Sequence, residues 1–208
     1  MANENYQAPP LPSAFMWRRI QSFMGLWLVL FLIQHLLTNS QAALFIGDDG
    51  NGFVRAVNGL HNLPYLPVIE ITLLGVPFLI HIVWGINYLF TSKQNAYGND
   101  GKSPALGEYP RNHAYTWQRI TSWILLIGLI GHLIDMRYLH YPIIEKNNNE
   151  THYQVEVAHD PGIHSLADRL NFTLAEREGK EYAIADNFGT AELLVVRETF
   201  KSPLMIAL

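Results

Sequence analysis

The sequence predicts an all-α membrane protein, a transmembrane helix bundle followed by a polar segment. Three observations predict it. Apolar runs occupy about residues 15–39, 68–90 and 116–138, each long enough to cross a hydrocarbon core of about 30 Å. Each run encloses one histidine: His35, His81 and His132. Aromatic and basic residues gather at one end of the first and third runs, as interface anchors do.

The composition is split, a very apolar first two-thirds being followed by a polar last third. Formal net charge is -4, which offers no bulk attraction to nucleic acid. Cysteine is absent, so disulfides, thiolate zinc sites and a cysteine-bound iron–sulfur cluster within the chain are excluded.

Residues 1–14 read as a proline-rich lead-in. Trp17-Arg18-Arg19-Ile20-Gln21-Ser22 then opens the first span, which ends in Leu32-Ile33-Gln34-His35. One hundred positions later, Trp117-Gln118-Arg119-Ile120-Thr121-Ser122 opens the third, which ends in Ile130-Gly131-His132-Leu133. At about 1.5 Å per residue each histidine lies roughly 20–24 Å along its helix from the arginine, towards the far side of the core. Arg18-Arg19 ahead of the first run and Ser40-Gln41-Ala42 after it imitate a cleavable leader, but Gln34 and His35 inside the run and two further spans argue against one.

Residues 41–67 read as a loop, with turn chemistry in Gly47-Asp48-Asp49-Gly50 and with Pro64 and Pro67 at the entry to the second span. Within that span Pro77 precedes His81 by four residues, which predicts a kink beside it. Lys93, Lys102 and Arg111 flank the second connection, whereas the first carries Arg55 beside two aspartates. The bias of basic residues places the N-terminus and the second connection in the cytoplasm. His35 and His132 then lie at matched depth near the outer face, with His81 deeper. Residues 139–201 fall outside, with Ile163 to Arg177 expected as an amphipathic helix and with Asn149-Glu150-Thr151 and Asn171-Phe172-Thr173 matching the glycosylation pattern. Ser202-Pro203 and the five apolar residues after it have the form of the start of a fourth helix.

An ionisable residue inside a span is expensive and calls for a purpose. Two histidines at matched depth on parallel helices could ligate a bis-histidine haem, and Gly85, Gly128 and Gly131 leave room for a flat macrocycle or for close helix packing. Three readings stay open at this point: haem ligation, a haem-free transporter or proton relay, and a scaffold whose histidines bond to helix carbonyls. Arg19, Arg119 and Arg137 would pair with propionates in the first and serve as snorkelling anchors in the others.

The three histidine blocks, with Phe78-Leu79-Ile80-His81-Ile82-Val83-Trp84-Gly85 as the second and His132-Leu133-Ile134-Asp135-Met136-Arg137 closing the third, resemble the di-haem cytochrome b subunit of bacterial succinate dehydrogenases and fumarate reductases. The resemblance covers about residues 15–140 in order and spacing. It implies a five-helix bundle in the bacterial cytoplasmic membrane that carries two b haems. It also implies a flavoprotein and an iron–sulfur subunit docked on the cytoplasmic face, and exchange of electrons with quinone, commonly menaquinone. His35 and His132 would hold the outer haem and His81 one side of the inner haem. The fourth and fifth helices of that pattern are not in this sequence, and the polar segment is longer than the family usually shows.

Overall fold

A computed structural model describes residues 11–42, 48–91, 107–147 and 150–202. Lys93, Lys102, Asn149, the first ten residues and the expected helix start at 203–208 lie outside the described residues. Three helices are long and apolar enough to cross a membrane: Ser13–Ser40, Leu66–Thr91 and Pro110–Leu139. The chain divides into two units, residues 1–34 with 67–93 and residues 35–66 with 94–208.

In the first unit, α1 (Ser13–Ser40) meets the second span. That span is not uniform: α3 (Leu66–Glu70) passes through a π-helical segment, Ile71–Gly75, into α4 (Val76–Thr91). The cause lies in Pro77, which has no N–H to donate to Leu73 four residues back. The indole N–H of Trp27 on α1 donates to that carbonyl instead, at 2.7 Å. Trp17 packs on Trp84 with ring centroids 5.3 Å apart, and Arg18 sits over the Tyr88 ring. Contacts of 27 with 73, 17 with 84 and 18 with 88 run in opposite senses along the two helices, which are therefore antiparallel.

The second unit holds α2 (Asn51–His61), α5 (Pro110–Ile134) with a closing π segment Asp135–Leu139, and a folded layer built from the polar third of the chain. That layer is β1 (Ile143–Asn147), β2 (Glu150–Val157), α6 (Pro161–Leu170), β3 (Phe172–Arg177), β4 (Lys180–Ala185) and α7 (Phe188–Phe200). The sheet is antiparallel throughout, in the order β1-β2-β4-β3. Glu178 and Gly179, both at positive φ, close the β3–β4 hairpin in two residues, as the right-handed twist of the strands requires. Val155, Val157, Phe172, Ala183 and Ala185 turn one face of the sheet onto Ile163, Leu166 and Leu170 of α6 and Leu193, Leu194 and Val195 of α7.

Two expectations are corrected here. The connection between the first two spans is not loop throughout, because Phe53, Val54 and Val57 give residues 51–61 an apolar face that packs into the same core. Asp48 starts that helix by accepting from the N–H groups of Gly50 and Gly52, at 3.1 and 2.7 Å. The helix expected from Ile163 to Arg177 stops at Leu170. Asn171 takes the left-handed conformation at φ 54 and ends it, and the residues that follow pair as β3.

Candidate functional site

α1 and α5 each deliver one imidazole near the end of a long apolar helix. His35 and His132 come together, their ring centroids 6.1 Å apart and their planes at 75°. The side-chain amide of Asn39, one turn beyond His35, donates to the His35 carbonyl at 2.8 Å and lies 3.3 and 3.4 Å from the two ring nitrogens. The pair is a two-imidazole arrangement: among the described residues no group of three or more His, Asp or Glu side chains could hold a metal ion.

His81 belongs to the other unit. It turns towards α1, with Nδ1 3.3 Å from the Gln21 carbonyl. The three arginines share a local motif, each guanidinium lying over an aromatic ring four residues away in sequence. Arg19 covers Phe15 at 5.0 Å, Arg119 covers Tyr115 at 5.7 Å and Arg137 covers Tyr141 at 5.4 Å. This cation–π seating gives each charged head a partner on its own stretch of chain.

The other histidines are engaged elsewhere. His113 lies 2.6 Å from the Gly107 carbonyl, and His140 pairs with Asp135 at 3.0 Å. His152 pairs with Asp186 at 2.9 Å and His159 with Glu181 at 3.2 Å, while His164 approaches Glu181 at 3.9 Å. His61 stacks flat on Phe188, centroids 4.0 Å apart.

Sequence reasoning passed over Asn39, Gln21, Gly25 and Glu192. The first was legible as the residue four positions after His35. The next two acquire a role only through contact with another helix. Glu192, on α7, is a carboxylate drawn into the core, where burial pushes it up to about 7 although the charge of Arg137 pulls the other way.

No protein-family profile and no solved structure matches the chain. Among curated proteins, it is 33% identical over 124 residues to the succinate dehydrogenase cytochrome b558 subunit of Bacillus subtilis (strain 168), the match covering 59% of this chain and 55% of that protein. The chain therefore spans about half the length of that relative. The similarity agrees with the resemblance carried by the three histidine blocks, and the three apolar helices bear out the helical membrane-bundle class.

Proposed function

We propose that the chain is the membrane anchor and b-type haem carrier of a succinate:quinone oxidoreductase, standing between an iron–sulfur subunit and membrane quinone. The dicarboxylate chemistry belongs to partner subunits in this reading. The observation that carries it is the His35–His132 pair. Two imidazoles bound on opposite sides of one metal, each at about 2 Å, have ring centroids roughly 6 Å apart, and the observed separation is 6.1 Å. The separation of the two imidazoles suits a shared metal between them.

His35 and His132 would hold the group from α1 and α5. Asn39 fixes the end of α1 beside His35 by its bond to the backbone. Haem b, when bound, supplies one-electron transfer. Arg19, Arg119 and Arg137 would pair with propionates, and His81 would be one ligand of a second haem. The N-terminus and the connection between the second and third spans face the cytoplasm, where the flavoprotein and iron–sulfur subunits dock. The similarity to a cytochrome b558 subunit of succinate dehydrogenase supports the reading as a haem-carrying membrane anchor.

The test is a reduced-minus-oxidised visible spectrum of the purified complex. It is expected to show b-type bands, and His35→Ala or His132→Ala is expected to remove one haem signal and leave the other. Retention of every haem signal in both variants would sink the assignment, and an absence of haem bands in the parent complex would favour the proton-relay or scaffold reading.

A further inference from the structure

His81 is held by a notch in α1. A Cβ placed ideally on Gly25 would come within 2.8 Å of Cε1 and 3.1 Å of Nδ1 of the His81 ring. Both are well inside the roughly 3.5–4.0 Å at which carbon atoms rest against one another. Gly25 lies four residues after Gln21, so the two share a face of α1, and the Gly25 N–H is the helical partner of the Gln21 carbonyl. That carbonyl also lies 3.3 Å from His81 Nδ1. A second donor can reach it because residue 25 has no side chain in the way. The other glycines flanking the histidines of the spans differ: a Cβ on Gly85, Gly128 or Gly131 would meet nothing within 4 Å.

We infer that Gly25 and the Gln21 carbonyl form a seat on α1 that fixes the ring plane and tautomer of His81, with Nδ1–H donated to the carbonyl and Nε2 kept as the metal-binding nitrogen. A carbonyl that receives one ring N–H leaves the other nitrogen with its lone pair and raises its basicity, which is how supporting groups tune a metal-ligating imidazole. Gly25 and Gln21 are positioning residues in this account. The inference rests on the haem reading above, in which His81 is an axial ligand.

The experiment compares Gly25→Ala, Gly25→Val and His81→Ala in the assembled complex, with Gly59→Ala on α2 as the control, since a Cβ there meets open space. Haem content and the largest g-value of each low-spin ferric haem are read by visible and paramagnetic resonance spectroscopy. His81→Ala should remove one haem. Gly25→Ala should shift the g-value of that same haem alone, and Gly25→Val should weaken its binding by about tenfold, read as a lowered occupancy, the size of loss typical for a displaced supporting group. A merely structural glycine predicts otherwise, because alanine is the better helix former and should be neutral or stabilising. If His81→Ala removes one haem while both Gly25 variants keep its occupancy and g-value, the seat is overturned and the ligand assignment stands. If His81→Ala removes none, the ligand assignment falls and the seat falls with it. Should Gly25→Val not accumulate, Gly25→Ala and Gly25→Ser carry the comparison, and unchanged g-values in both overturn the seat.

Discussion

α1 and α7 are both rich in leucine and valine, and they use them in opposite ways. None of the 28 residues of α1 is buried. Seven residues of the 13-residue α7 are buried, Leu193 and Leu194 almost completely. The difference is one of solvent. α7 faces water on one side and must hide its apolar stripe against the sheet, which gains roughly 25 cal/mol per Å² removed from water. A membrane helix gains nothing by hiding leucine from lipid tails. It buries the polar atoms of its backbone by internal hydrogen bonding, and close helix contacts form where small or polar residues permit them. Hence the contacts of α1 in its own unit are named by Gly25, Gln21 and Trp27 rather than by its leucines.

The largest expected effect follows directly. Leu193→Ala empties a fully buried position of the sheet layer and should cost about 2–5 kcal/mol. Leu125→Ala, on the exposed apolar surface of α5, should change insertion by only about 0.5 kcal/mol. Urea midpoints for proteolytic protection of residues 143–200 in the intact, detergent-solubilised protein measure the first, and membrane integration measures the second. Comparable losses from both substitutions would erase the contrast.

The membrane half of this fold was legible because its signals are long and local. An apolar run of about twenty residues with a histidine inside it can be read without knowing any neighbour. The His35–His132 pair was legible for the same reason, since depth along a helix follows from counting residues. The sheet layer was written in shorter signs. Tyr153-Gln154-Val155-Glu156-Val157 alternates as a half-buried strand does, and Glu178-Gly179 between Arg177 and Lys180 is a two-residue hairpin turn. Those signs are easily lost in a segment rich in Asn, Glu and Asp. Helix α2 was hidden differently, because its apolar face spans only Phe53, Val54 and Val57 and gains meaning from α7. The seat of His81 had no sequence signature at all: a glycine on one helix meets an imidazole on another only in three dimensions.

A second, smaller effect concerns charge in the same layer. The Glu192 carboxyl is raised from 4.5 to about 7, chiefly by burial. Between those values the folded chain binds more protons than the unfolded one, so its stability falls as pH rises, with the penalty complete above about pH 7. At 1.36 kcal/mol per unit the net shift, with the attraction of Arg137 already included, sets a ceiling of about 3 kcal/mol. Glu192→Gln is therefore expected to stabilise α7 at pH 8 and to change little at pH 4. Hydrogen exchange over residues 188–200, corrected for intrinsic rates, reads this out. A Gln variant with the parent's pH dependence would show that Glu192 is solvated, and the contrast between a water-hiding α7 and a lipid-facing α1 would then be less sharp at its polar positions.

The smallest effect tests whether α2 belongs to the water-facing side of the comparison. Its first turn is closed by Asp48, whose two carboxylate oxygens accept from the N–H groups of Gly50 and Gly52. A negative group there also meets the positive end of the helix dipole. The nearby Arg55 guanidinium, 3.6 Å away and largely exposed, adds little, as surface ion pairs do. Asp48→Ala should cost about 1 kcal/mol, and Asp48→Asn should recover part of it, since the amide oxygen still accepts one bond. Arg55→Ala should be close to neutral. The same proteolysis midpoints decide the order, because α2 packs on α7 through Asn58, whose side chain accepts from Gly189 N–H at 2.7 Å and donates to Asn187 at 2.9 Å. If Asp48→Ala left the protection of α7 unchanged, α2 would be folding apart from the sheet layer. A loss in Arg55→Ala as large as in Asp48→Ala would move the stabilisation from the cap to the ion pair.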